Sequence, residues 1–76
     1  MQIADKIDAL GLLCPLPVLK LRKRIKALKP GDVIELKADD PAAVVDVPHF
    51  CSETGHTLID TLEETEFMLF RVQKAD

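Results

Sequence analysis

The sequence predicts an α/β (α+β) two-layer sandwich: a four-stranded mixed sheet with two helices on one face. Three features point there. Apolar and polar residues alternate near the start, the middle and the end of the chain, which is the period of strands. Two intervening stretches instead repeat apolar residues at spacings of three and four, which is the period of helices. Each helical stretch has one apolar stripe, so each needs covering on one side only. The resulting order is strand, helix, strand, helix, strand, strand. A strand–helix–strand unit favours a right-handed crossover between parallel strands. The closing hairpin makes the last strand antiparallel to its partner. The periodicity leaves the spatial order of the strands open.

The first strand is predicted over residues 3–9, with Ile3, Asp5, Ile7 and Ala9 on one side. Gly11 ends it, and a short loop runs to Cys14. The first helix is predicted over 15–28, where Val18, Leu21, Ile25 and Leu28 share a face. Pro30-Gly31 stops it. Residues 32–38 alternate cleanly, with Ile34, Leu36 and Ala38 pointing one way. Asp40 is the expected N-cap of the second helix and Pro41 its first residue. That helix puts Ala43, Val47, Phe50 and Cys51 on one face. Pro48 inside it should kink it or divide it. Gly55 suits the C-terminal cap. Residues 56–62 and 66–74 read as strands joined by a turn at 63–65.

The chain has 76 residues, nearly half of them apolar, so one packed domain spanning 1–76 is expected and disorder is not. No apolar run approaches the ~20 residues that cross a bilayer. "MQIADKID" shows no basic and apolar leader pattern. A cytoplasmic protein that does not engage membranes is the expectation. Two widely separated cysteines make no disulfide framework. Absence of Trp and Tyr leaves few platforms for stacking bases.

Charge is unevenly spread. Six of the ten Lys and Arg fall between residues 20 and 29, and no acidic residue lies between Ala9 and Gly31. The remaining residues hold four basic groups against thirteen acidic ones. A basic helix face on an acidic body is either a solvated face suited to the helix dipole or a docking surface.

The motif that stands out is "LLCPLPVLK", residues 12–20. With Pro15 as first helical residue and Pro17 in the same turn, both prolines fall where backbone N–H groups lack intrahelical partners. Cys14 is then the N-cap, pushed out of helical geometry by the following proline. A helix start carries partial positive charge and favours a thiolate. The N–H groups of Leu16 and Val18 are candidates for holding an anion. Position 17 is proline, so no C-x-x-C pair exists for disulfide exchange. A lone presented thiol suits carrying a group, either a sulfur atom or an acyl group. The bland alternative is a buried apolar cysteine.

"DALGLLCPLPVLKLRKRI" followed by "PGDVIELKADDPAAVVDVPHFCSETGH" resembles the TusA/SirA sulfur-carrier family over almost the whole chain. Its specific blocks are Gly11 with Cys14-Pro15-Leu16-Pro17, Asp39-Asp40-Pro41-Ala42, and Phe50-Cys51 with Gly55-His56. The resemblance implies strand order 1-2-4-3. It implies that Cys14 accepts sulfane sulfur from a cysteine desulfurase or rhodanese-like donor and relays it as a persulfide to an acceptor protein. The routes it implies are tRNA thiolation, molybdenum-cofactor maturation and sulfur oxidation. Such a protein transfers a group and need not turn over a substrate independently. Leu13 and Leu16 depart from the polar residues common at those family positions, so the thiol has an apolar rim.

Gly11, Pro15 and Pro17 are therefore expected to support Cys14, and Lys20, Arg22, Lys23, Arg24 and Lys26 to dock a partner. No metal or cofactor is expected, direct nucleic-acid binding is not expected, and the free protein should be a monomer. Cys51 is expected in the core. His56 is expected to play a structural part and His49 to be exposed. Two rival readings have distinct requirements. A nucleic-acid-binding or regulatory module would use the basic face of helix one. A thiol redox protein would need a reversible Cys14–Cys51 disulfide.

Overall fold

The computed structural model describes residues 2–76. Its elements are β1 (Ile3–Ala9), α1 (Leu16–Ile25), β2 (Val33–Ala38), α2 (Ala43–Thr54), β3 (Thr57–Glu63) and β4 (Met68–Gln73). The sheet order is β1-β2-β4-β3. β1 and β2 are parallel, while β4 runs antiparallel to both β2 and β3. The closing hairpin folds back so that β4 fills the slot between the two crossover strands. Both helices cover one face, as expected.

The strand alternation sets what that face contributes. Ile7 and Ala9 of β1, Ile34, Leu36 and Ala38 of β2, and Phe70 and Val72 of β4 form the floor of the core. Leu21 and Ile25 of α1 and Ala43, Val47, Phe50 and Cys51 of α2 close it from above. These side chains are at most 4 % exposed. β3 contributes only the half-buried Leu58, which suits an edge strand with a register shift between Leu58 and Asp60. On the open face Arg71 bridges Glu35 and Asp60 across three strands. Opposite charges on neighbouring strands support the pairing there.

Several boundaries differ from the sequence expectation. Pro15, not Cys14, is the N-cap of α1, so Cys14 lies one residue further out. The helix stops at Ile25 because Ala27 and Leu28 bond three residues back, tightening the end. Leu28 still packs on the core from this turn. The freed carbonyls of Lys26 and Leu28 accept from the Lys74 ammonium.

α2 begins later than expected too. Ala42 is its N-cap, and Asp40 instead shapes the preceding turn by accepting the Ala42 N–H. Pro41 belongs to that turn. Pro48 does not divide α2, which runs unbroken for 12 residues. Pro48 and Val44, whose carbonyl the proline cannot bond, both lie on the exposed side. Water can take the freed acceptor there. Gly55 closes the helix as expected, with φ of 84° and its N–H on the Cys51 carbonyl. Only a residue without Cβ adopts that conformation cheaply. The hairpin turn falls at 64–67, closed by Glu64 N–H on the Phe67 carbonyl.

His56 has a structural part. Its Nδ1 accepts the Ala75 N–H at 2.9 Å, and its ring lies against Phe50. Burial and then the nearby Lys74 charge hold its imidazole below the usual range. The unfolded chain, with a pKa of about 6.5, takes up this proton first as pH falls. Native stability should therefore drop as pH is lowered through and below that value. Melting temperatures read between neutral and mildly acidic pH should show this decline, and His56→Asn should flatten it. Leu21, with no exposed surface, gives a second test of the core. Leu21→Ala should cost about 2–5 kcal/mol in urea unfolding. That approaches the whole stability of ~3–5 kcal/mol that so small a core supplies.

Candidate functional site

Parallel pairing of β1 with β2 places their C-terminal ends together, with Ala9 opposite Ala38. The loops that leave these two ends therefore meet. One carries Gly11 and Cys14, the other Asp39 and Asp40. Gly11 turns the chain with φ of 79° and donates its N–H to both carboxylate oxygens of Asp39, at 3.0 and 3.2 Å. Cys14 donates its N–H to Asp40 Oδ2, while Asp40 Oδ1 holds Ala42. Two consecutive carboxylates thus clamp the thiol loop to the start of α2. Hydrogen bonds to a charged acceptor are among the stronger ones.

The prolines fix the other side of the loop. Pro17 is buried beneath the helix start, while Pro15 is exposed. Leu16 N–H closes the turn on the Leu13 carbonyl at 2.9 Å, so it is not free to hold an anion as expected. Leu13 and Leu16, close to Cys14 in the loop, are 69 % and 47 % exposed, so both are open to a partner.

Cys14 is exposed and Cys51 is buried, and both are free thiols. The Cys14 sulfur sits at the mouth of a cleft between α1 and α2 lined by Val18, Arg22, Asp46, His49 and Phe50. Its Sγ donates to Asp46 Oδ2 at 3.0 Å. That bond pushes the thiol pKa up, aided by partial desolvation and by the Asp46 and Asp40 charges. The expectation of a helix-stabilised thiolate is therefore corrected. Cys14 lies outside the N-cap, and nearby carboxylates outweigh the helix end. Burial likewise raises the Cys51 thiol.

The basic residues named from the sequence do not act as one group. Arg24 turns away from the thiol and forms a two-point ion pair with Asp5 of β1, at 2.6 and 2.8 Å. This explains a charged residue on the helix-facing side of β1, and each partner stabilises the other's charged form. Arg22 lies with its guanidinium 5.0 Å from the centre of the Phe50 ring, inside the thiol cleft. Lys20, Lys23 and Lys26 are exposed. His49 is exposed and meets Glu53 at 2.6 Å.

Asp46 is the site residue that the sequence reading passed over. A signal was present: Ala43, Asp46, Val47 and Phe50 follow helical spacing, so Asp46 borders the apolar stripe. Asp40 was visible as the expected N-cap of α2, and Asp39 only as its neighbour in the Asp39-Asp40-Pro41-Ala42 block of the family resemblance.

The sequence model of the TusA sulfurtransferase family matches residues 5–74. The chain belongs to the TusA family. The coarse function that goes with membership is sulfur transfer in a relay with partner proteins. The fold is similar to that of a SirA-like protein from Desulfitobacterium hafniense, with a TM-score of 0.81 and 20 % identity. That match covers 95 % of this chain and 99 % of the other. The expected family, its α+β architecture and its mixed sheet are thereby borne out. Among the described residues, no helix is long and apolar enough to cross a membrane.

The two thiols should differ sharply towards an alkylating reagent. Peptide mapping after brief iodoacetamide treatment should find the label on Cys14. Cys51 should react only when denaturant opens the core.

Proposed function

We propose that Cys14 carries sulfane sulfur as a persulfide between two proteins. The observation that carries this reading is the placement of an exposed sulfur, on a clamped loop, at the centre of the motif shared with a sulfurtransferase family. The loop is ordered by Asp39, Asp40 and Pro17, so the sulfur is presented without a large ordering cost on docking.

The chemistry is two exchanges at sulfur. Cys14, as thiolate, attacks the terminal sulfur of a donor persulfide. A new S–S bond forms on Sγ, the donor's own S–S bond breaks, and the donor thiolate leaves with that electron pair. An acceptor thiolate then attacks the terminal sulfur on Cys14, and Cys14 leaves in turn. Neither exchange needs an external oxidant. The donor is a cysteine desulfurase or a rhodanese-like protein. The acceptor is a downstream protein of tRNA thiolation or another sulfur-transfer route. Leu13 and Leu16 offer an apolar contact beside the sulfur, and Lys20 and Lys23 offer charge on the adjoining helix. The carrier works in the cytoplasm as a monomer between encounters.

The nucleic-acid reading loses support from Arg24, which is spent on Asp5, and from the carboxylates that ring the loop. The redox reading loses support from the burial of Cys51.

Incubation with a cysteine desulfurase and cysteine, followed by intact-mass measurement, tests the proposal. A gain of one sulfur atom should persist in Cys51→Ala and vanish in Cys14→Ala. A gain that survives Cys14→Ala, or no gain with desulfurase and rhodanese donors alike, would overturn it.

A further inference from the structure

We propose that Asp46 is a positioning residue that holds Cys14 in its protonated, less reactive form until a cationic group of the sulfur donor occupies its carboxylate. The inference rests on the reading of Cys14 as the carrier. It identifies a partner feature: a Lys or Arg presented beside the donor's persulfide.

The other charged groups around the thiol are already engaged. Asp39 gives both oxygens to Gly11. Asp40 gives one oxygen to Cys14 N–H and the other to Ala42. On α2, Glu53 is met by His49 at 2.6 Å. On α1, Arg22 lies over the Phe50 ring. Asp46 is the carboxylate that touches the sulfur itself, at 3.0 Å, and among the described residues it forms no ion pair. Its Oδ2 accepts the S–H proton, a bond that exists only while Cys14 is protonated. Loss of that proton sets a thiolate against a carboxylate across the same short distance, so the arrangement favours the thiol. The raised thiol pKa agrees with this geometry.

The thiolate is the sulfur nucleophile. The contact that orients Sγ therefore also restrains it. A restrained thiol reacts more slowly with oxidants and stray electrophiles between encounters. A cation brought against Asp46 offsets the carboxylate charge and removes the penalty on the thiolate. The Sγ proton then passes to water, and the sulfur attacks the donor persulfide as described above. A positive group fits the surface, since Asp39, Asp40, Asp46 and Glu53 all flank the loop or the cleft.

Two measurements on the full chain test this. The first is the pH profile of Cys14 alkylation by iodoacetamide, read by peptide mapping, in wild type, Asp46→Asn, Asp46→Ser and Asp46→Glu. Asn and Ser should move the midpoint to lower pH and speed labelling several-fold at neutral pH, while Glu stays close to wild type. Circular dichroism checks that each variant is folded, and Asn and Ser serve as independent replacements. An unchanged or upward-moved midpoint in the folded Asn or Ser variant overturns the proposal.

The second measurement compares sulfur loading from inorganic polysulfide with loading from a desulfurase. Asp46→Asn should load several-fold faster than wild type from polysulfide, which brings no cation. It should show no such gain from the protein donor, whose cation already offsets the carboxylate in wild type and loses its partner in the variant. A gain with the protein donor as large as that with polysulfide overturns the role of its cation. If no donor loads any variant while the alkylation midpoint still shifts, the carrier reading fails and the restraint stands. If loading occurs on Cys14 while the midpoint does not shift, the restraint fails and the carrier reading stands.

Discussion

The hydrogen bonds from Gly11 and Cys14 to Asp39 and Asp40 are the constraint on which the site depends. They exist because β1 and β2 are parallel neighbours, which brings their C-terminal ends side by side. In open α/β sheets, such ends are where the chain has room to build a site. The clamp makes one unit of two loops that are more than twenty residues apart in sequence. It also sets the start of α2 relative to the sulfur, and so delivers Asp46 to Sγ. A site made this way is only as ordered as the sheet below it. The core of Ile7, Ala9, Leu36 and Ala38 under the loops therefore serves function as well as stability.

Two fields of opposite sign meet at the thiol. α1 carries a basic face and has its positive end towards the loop. The loop after β2 and the first turns of α2 bring carboxylates instead. Distance decides between them, since charges in direct contact outweigh a helix end that fades within a turn. Arg24 shows the same logic. It belongs to the basic run by sequence, yet its closest charge is Asp5, and the pair ties α1 to β1.

Much of the fold was legible because short-range patterns and tertiary packing agree. Ile34, Leu36 and Ala38 alternate because one face of β2 is buried, and each helix has one stripe because only one face meets the sheet. Gly55 was readable since its conformation is local. Helix limits were less so. Proline's φ suits both an N-cap and a first helical position, so the motif did not distinguish Pro15 from its neighbour. The early end of α1 is a tightened turn at Ala27 and Leu28, and the carbonyls of Lys26 and Leu28 that it leaves free are met by Lys74, which is remote in sequence. Strand order came from the family resemblance, because periodicity fixes faces and not neighbours. At the site, Cys14 and its prolines were visible as a motif. The Asp46 contact was not, because it joins residues 32 positions apart.

Amide hydrogen exchange at the thiol loop tests the clamp most directly. The loop is exposed, so its N–H groups are protected only where a specific acceptor holds them. Gly11 and Cys14 should exchange slowly relative to Leu13 between them. Asp40→Ala should remove the protection of Cys14 while Asp46→Asn leaves it intact. A Cys14 amide that exchanges as fast as that of Leu13 in the wild-type protein would mean that the clamp does not form.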